Sequence, residues 1–130
     1  MQAIVVNEIN ELGSIELLEV DSPQPKSNQV LIEPAAAALN FPDLLQIRGK
    51  YQIVPEMPFI PGKEAVGVVT AVGSDVQHIQ LGDRVLVEVD YGAFAEQVTA
   101  DMRRTFLLHD EIEMPTAAAM GLVYQTAYIA

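Results

Sequence analysis

The stretch that begins PGKEAVGVVTAVG at Pro61 and ends RVLVEVD at Asp90 constrains the fold of this chain more than any other. Its two valine-rich runs favour strands, because β-branched side chains fit a pleated, half-buried surface. The pair Gly82-Asp83 between them is typical of a turn. We therefore predict strands near 64–73 and 83–89. Gly67 inside the first run indicates either a bulge or a close approach of another backbone segment.

Similar runs elsewhere predict a mainly β fold with a few short helices. The other strands are predicted near 1–7, 14–20, 29–38 and 93–99, the second of them after a Gly13-Ser14 turn. Pro34 lacks a backbone donor, so the strand that contains it must lie at an edge or carry a bulge. Helices are predicted near 41–48 and 116–130, with Asn40 and Thr116 as their N-caps.

Composition excludes several classes of function. The chain has 130 residues, which is enough for one domain, and a net charge of −11. Nucleic-acid binding needs clustered cations, so it is not expected. No cysteine is present, which excludes disulfides and cysteine-based zinc sites and fits a cytoplasmic location. No basic leader and no apolar run of about 18 residues is present, so neither a signal peptide nor a membrane span is predicted.

The predicted helix at 116–130 has almost no polar face. A helix that is apolar on all sides is normally buried on all sides, yet the chain ends within this one. We therefore expect that more protein follows, and that the isolated domain self-associates through an apolar patch on this helix.

Two blocks of sequence carry a family resemblance. The first is NFPDLLQIRGKY at 40–51, followed by PGKEAVGVVTAVGSDV and GDRV, and the second is GAFAEQV at 92–98, followed by AAAMGLVYQTAYIA. Together they resemble the N-terminal GroES-like catalytic domain of medium-chain dehydrogenases/reductases, and most closely that of the zinc-free quinone oxidoreductases. The resemblance implies a partly open β-barrel over residues 1–130.

The resemblance also implies an activity for the complete protein. That activity is NADPH-dependent hydride transfer to a quinone or an α,β-unsaturated carbonyl. The nucleotide is expected to bind a Rossmann domain, whose G-x-G-x-x-G fingerprint this chain lacks. The chain is therefore predicted to be a fragment that is inactive alone. The alternatives are a stand-alone GroES-like binding or oligomerisation module and an enoyl reductase of the same superfamily.

Two positions argue against zinc. Zinc-dependent relatives place a cysteine near the position of Asn40 and a histidine where Lys63 stands here. A protonated lysine cannot bind zinc, and an asparagine amide is a poor ligand beside thiolate and imidazole. No metal is expected.

Six residues are candidates for the site. By resemblance, Asn40 faces nicotinamide and substrate, Tyr51 lines the quinone pocket and Thr126 binds the nicotinamide amide. Tyr124, two residues before Thr126 on a neighbouring face, is a further cofactor candidate. Each of these has a plainer role: Asn40 as an N-cap, Tyr51 packed on loop prolines, and the last two in interdomain packing.

The remaining two candidates are acids. Asp43 lies three residues after Asn40, so it is either an active-site acid or a first-turn charge that favours the helix dipole. Glu64 precedes an apolar strand, so its carboxylate should be partly buried and needs a partner, for which Lys63 and Arg84 are the candidates.

Overall fold

The computed structural model describes residues 1–11 and 14–130 and confirms a mainly β architecture with short helices. The predicted Gly13-Ser14 turn lies partly outside the described residues. The strands are β1 (Gln2–Glu8), β2 (Ser14–Glu19), β3 (Gln29–Ala37), β4 (Glu64–Val72), β5 (Arg84–Glu88), β6 (Val98–Asp101) and β7 (Thr105–Leu107). The helices are α1 (Phe41–Ile47), α2 (Met114–Ala118) and α3 (Gly121–Ile129), with one 3₁₀ turn at Met102–Arg104.

The strands form two antiparallel sheets that curl into a partly open barrel. One is the β1–β2 hairpin, and the other has the order β6-β3-β4-β5-β7. Single bridges, Ala3 with Ala95 and Val6 with Phe59, join the hairpin to the rest. Most of β2 is exposed to solvent, and its described ladder partner is β1.

The first half of β4 and the middle of β5 are covered on both faces, which explains their nearly continuous apolar sequence. Val85 and Val87 of β5 point into the main core together with Ala65 and Val69 of β4. The side chains between them face the opposite way, where Leu86 and its neighbours pack against α2. Among the described residues, no helix is long and apolar enough to span a membrane.

Gly67 confirms the predicted close approach. It pairs with Pro34 of β3, and a Cβ built on it would lie 2.1 Å from the Glu33 carbonyl oxygen. The register between β3 and β4 shifts between Pro34 and Ala36, and the described ladder between β3 and β6 ends at Ile32, so the proline lies next to an irregularity and beyond the pairing with β6.

Two predicted boundaries were wrong. The strand predicted at 93–99 begins only at Val98. The residues before it bond to two different neighbours: Phe94 accepts from Ile4 of β1, whereas its own N–H donates to Pro61. This segment crosses between the two sheets and therefore cannot continue one ladder.

The predicted helix at 116–130 is two helices. Its first part begins earlier, with Glu113 rather than Thr116 as N-cap, because Pro115 fits the first turn of a helix. The chain then tightens, because the Ala119 N–H is shared between the Pro115 and Thr116 carbonyls and the Met120 N–H bonds three residues back to Ala117, before α3 starts at Gly121.

Candidate functional site

Glu64 lies at the centre of a polar cluster at the end of the barrel. It is the first residue of β4 and is 1% exposed. Its Oε1 accepts from Asn40 Nδ2 at 2.8 Å, and its Oε2 accepts from the Leu122 N–H at 2.7 Å. A carboxylate at a helix N-terminus is favoured by the helix dipole, and hydrogen bonds to a charged group are strong. Glu64 therefore ties the start of α1 and the start of α3 to the sheet.

Both partners proposed for Glu64 from the sequence were wrong. Lys63 Nζ donates to the Asp90 carbonyl, and Arg84 donates to the carbonyls of His109 and Ile112. Lys63 precedes β4, and its side chain reaches Asp90 rather than Glu64.

Gly121 makes the contact between Glu64 and α3 possible. A Cβ at this position would lie 2.2 Å from Glu64 Oε2. Because Gly121 has no side chain, the first turn of α3 can contact the Glu64 carboxylate directly. The same contact explains why α2 ends and a separate helix starts at this point.

Asn40 occupies the N-cap position of α1 with extended backbone angles. Its N–H donates to Asp43 Oδ2 at 2.7 Å, which is one half of a capping box. Its side-chain amide donates to Glu64 instead of standing free. The structure thus brings Asn40, Asp43 and Glu64 together, as their predicted grouping in one site requires.

Asp43 is fully buried, and its Oδ1 has no hydrogen-bond partner within residues 1–11 and 14–130. Burial raises the pKa of this carboxyl, and the hydrogen bond from Asn40 and the charge of Lys63 only partly oppose that effect. An acid of this kind accepts a proton more readily than a surface aspartate does.

Lys63 is a residue whose place in the site the sequence reasoning missed. It is 8% exposed, its Nζ donates to the Asp90 carbonyl at 2.8 Å, and the same atom lies 4.4 Å from the centroid of the Tyr51 ring. Burial lowers the pKa of Lys63, against the opposing charges of Asp43 and Asp90. The available signal was a cation placed directly before a buried strand, which is unusual for lysine.

Gln46 was also missed, although it lies three residues after Asp43 on α1. It is fully buried, and its Nε2 donates to the carbonyls of Ile53 and Asp90 at 2.8 and 3.2 Å. These bonds anchor the loop after Tyr51 to the segment after β5.

A small cleft of about 130 Å³ opens beside this cluster, and we call it the Tyr51 cleft. It is lined by Tyr51, Ile53, Lys63, Glu88, Val89, Asp90, Arg104 and Leu122. The Arg104 guanidinium lies 3.1 Å from an Asp90 oxygen. The cleft combines a phenol, an ammonium group and apolar walls. That combination suits a flat molecule that carries a carbonyl oxygen.

Tyr124 and Thr126 lie on α3 and line no part of the Tyr51 cleft. The Thr126 hydroxyl donates to the Leu122 carbonyl at 2.7 Å within its own helix. Tyr124 is 61% exposed and borders a separate apolar groove next to Leu86 and Phe106. Tyr51 therefore lies on a different surface from Tyr124, whereas Leu122 both lines the Tyr51 cleft and accepts the hydrogen bond from Thr126.

Within the described part of the chain, no group of three or more histidine, aspartate or glutamate side chains is arranged to hold a metal ion.

We expect Asp43→Asn to change the pH dependence of stability. The folded state of the wild type binds a proton at Asp43 more tightly than the unfolded state, whose value is near 3.8. Between the two pKa values the folded protein carries more protons, so this group's contribution to stability falls as pH rises through that window. The variant, which cannot titrate, should lack that fall. Urea denaturation across the acid range measures the difference.

The exposed Asp110→Asn provides the control for this measurement. The quantity compared is the difference in unfolding free energy between wild type and variant. The assignment would be contradicted if this difference did not change with pH for Asp43→Asn, or if it equalled the difference for Asp110→Asn.

Comparison with known proteins supports one family. Residues 26–110 match the family model for the alcohol dehydrogenase GroES-like domain. The human synaptic vesicle membrane protein VAT-1 homolog-like is 33% identical over 129 residues, which are 99% of this chain and 31% of that protein. The crystal structure of the human VAT-1 homolog-like protein aligns with a TM-score of 0.95 at 32% identity, covering 99% of this chain and 42% of that one.

A third comparison brings in a cofactor complex. The Escherichia coli quinone oxidoreductase, solved with NADPH, aligns with a TM-score of 0.93 at 29% identity over 98% of this chain and 39% of that one. This chain thus spans about a third of the length of the curated relatives it matches. It belongs to the alcohol dehydrogenase GroES-like domain family and is similar to the corresponding part of a quinone oxidoreductase.

Proposed function

We propose that this chain is the substrate-side domain of an NADPH-dependent oxidoreductase that reduces a quinone or an α,β-unsaturated carbonyl. One observation carries the proposal: Lys63 and Tyr51 meet at a small cleft of a domain that is similar to an NADPH-complexed quinone oxidoreductase. Sequence similarity alone supports the family, whereas the placement of the ammonium group supports the reaction.

Reduction of a carbonyl compound develops negative charge on its oxygen. The Lys63 ammonium has three N–H groups, and one of them is engaged by the Asp90 carbonyl. The other two can donate to an oxygen placed in the Tyr51 cleft, and the low exposure of Lys63 strengthens that interaction. The Tyr51 ring offers a flat surface on which a quinone can stack.

The polar cluster behind the cleft supports this arrangement. Asp43 lowers the free energy of the charged lysine, and Glu64 holds Asn40 in a fixed orientation. We propose that Asn40 faces the reacting groups with its side-chain oxygen, while its amide nitrogen stays on Glu64.

NADPH, when bound, supplies the hydride, and α3 offers the groups that would hold its nicotinamide end. The Thr126 hydroxyl donates within its helix and keeps lone pairs free to accept from an amide. The Tyr124 ring is largely exposed and can pack beside it. The residues present therefore fit a nicotinamide, and we propose that a Rossmann domain outside residues 1–130 holds the rest of the nucleotide.

We also propose that the reaction proceeds without zinc, in a reducing cytoplasm. Asn40 and Lys63 stand where zinc-dependent relatives carry ligands, and both already have other partners. Elemental analysis of the purified protein should find no stoichiometric zinc, and chelators should leave the rate unchanged.

The function is tested with the open reading frame that contains this chain. Consumption of NADPH is measured with 1,4-benzoquinone and, separately, with a simple enone. Lys63→Met should lower kcat/KM by roughly 100-fold or more, as removal of one oxyanion-stabilising donor does elsewhere. Lys50→Met is the matched control, because Lys50 adjoins Tyr51 but is exposed.

Three outcomes would contradict the proposal: no NADPH consumption with either acceptor, equal losses at positions 63 and 50, or micromolar NADPH binding by residues 1–130 alone. Reduction of the enone alone would place the protein among the enoyl reductases.

We further propose that α3 mediates self-association of the 130-residue chain. Four of its large apolar side chains are exposed: Val123, Tyr124, Tyr128 and Ile129. Light scattering should show a mass that rises with concentration, and Tyr128→Ser with Ile129→Ser should restore the monomer. A monomer at high concentration for the unmodified chain would contradict this.

A further inference from the structure

A second and larger cleft lies away from the site described above. It has a volume of about 620 Å³, within the roughly 300–1,000 Å³ typical of small-molecule sites. Its walls come from the β1–β2 hairpin, the loop that follows Tyr51, and the segments around Tyr91 and Gln97. It shares no lining residue with the Tyr51 cleft, and we call it the Tyr91 cleft.

The floor of the Tyr91 cleft is aromatic and well anchored. The Phe59 and Tyr91 rings meet edge to face, with centroids 6.5 Å apart. Phe59 exchanges two backbone hydrogen bonds with Val6 of β1, so its position is fixed. The Tyr91 ring is 47% exposed and can contact a molecule in the cleft. Pro55 and Pro58 stiffen one wall.

The Tyr91 cleft carries two negative charges that are not neutralised by an ion pair in the described part of the chain. Asp21 and Glu56 both line it, both are exposed, and neither is in an ion pair of the described residues. Met1 also lines the cleft, and its ammonium group is held by Glu19 Oε1 at 3.1 Å and by the Val20 carbonyl at 2.8 Å. The two carboxylates therefore remain available to a cation.

Gln97 adds a hydrogen-bond acceptor. Its Oε1 is buried and has no partner within the described residues, and leaving such an oxygen unpaired costs about 1–3 kcal/mol. Rotation of this amide toward the cleft would let a donor there satisfy it. The amide oxygen, the carboxylates and the aromatic rings of this cleft all favour the same kind of ligand. That ligand has a positively charged N–H donor attached to an apolar group.

We propose that the Tyr91 cleft binds a small amphiphilic amine: a flat apolar group that rests on Phe59 and Tyr91, with an ammonium group directed to Asp21 and Glu56. The site is independent of the proposed reductase activity. Tyr91 follows Asp90, whose carbonyl holds Lys63 and Gln46, so an occupant of this cleft would lie one residue from the support of the Tyr51 cleft.

The probe is tryptamine, with the neutral alcohol tryptophol of the same shape as its partner. Calorimetry and NMR of the 130-residue chain should show tryptamine binding roughly tenfold or more tighter than tryptophol, with shifts at Tyr91 and Gln97. Asp21→Asn with Glu56→Gln should reduce tryptamine to the affinity of tryptophol. Asp110→Asn with Glu111→Gln, which removes the same charge elsewhere, should not.

Equal affinity for the two probes would overturn the proposal, as would shifts confined to Tyr51 and Lys63, an equal effect of the two double variants, or no binding of tryptamine at millimolar concentration. None of these results depends on whether the protein reduces quinones, so the two proposals fail separately.

Discussion

Replacing Glu64 with alanine is expected to destabilise the domain by about 3–5 kcal/mol. The substitution leaves two half-buried donors, Asn40 Nδ2 and the Leu122 N–H, without the Glu64 acceptor. Each orphaned buried donor costs about 1–3 kcal/mol, and the lost side-chain volume adds to this cost. Because Leu122 lies in the first turn of α3, that helix should detach first. Urea denaturation followed by circular dichroism measures the loss.

Two control variants are needed to interpret the loss of stability in Glu64→Ala. Glu64→Gln keeps the size and one good acceptor but turns an amide toward the other donor, so an intermediate loss is expected. Glu33→Ala removes an exposed acid from the neighbouring strand and should change stability by no more than about 0.5 kcal/mol. If Glu64→Ala destabilised the domain no more than Glu33→Ala does, Glu64 would not be the residue that connects the sheet to α1 and α3.

Gly67→Ala should destabilise the domain by about 3 kcal/mol, although it adds a single methyl group. That group would lie 2.1 Å from the Glu33 carbonyl oxygen and 2.8 Å from Pro34 Cα. Both are backbone atoms, so the overlap can be relieved only by moving β3 away from β4 in the centre of the sheet. Differential scanning calorimetry checks the expected fall in melting temperature.

Val68→Ala is the matched control for Gly67→Ala. Val68 is the next residue of the same strand and is 37% exposed, so truncating it should cost less than about 1 kcal/mol. A larger loss at position 68 than at position 67 would show that the close approach of the two strands is not a constraint.

Prediction from the sequence worked where local chemistry decides structure. The valine runs of β4 and β5, the glycine at 67 and the irregularity at Pro34 each follow from one or two residues. It was wrong where a distant partner decides. Glu64 fixes where α3 starts, and residues 93–97 divide their hydrogen bonds between β1 and the loop before β4.

The candidate site shows the same division. The closeness of Asn40 and Asp43 was anticipated from helix spacing, whereas the hydrogen bond between Asn40 and Glu64 was not. The position of Lys63 over the Tyr51 ring was not anticipated either, because it depends on how the proline-rich loop after α1 folds back. The roles of all six candidate residues stay predictions.

The outer side of β2 has a consequence for the behaviour of the protein in concentrated solution. Its apolar side chains Ile15 and Leu17 are more than half exposed, and the described ladder of this strand uses only one side. An unpaired, apolar edge invites strand addition from another chain. Glu16 and Glu19 interrupt this edge with negative charge, and the net charge of −11 disfavours the pairing of two such edges. The acidity of the chain thus serves as protection against aggregation, and that protection should weaken as the carboxylates become protonated.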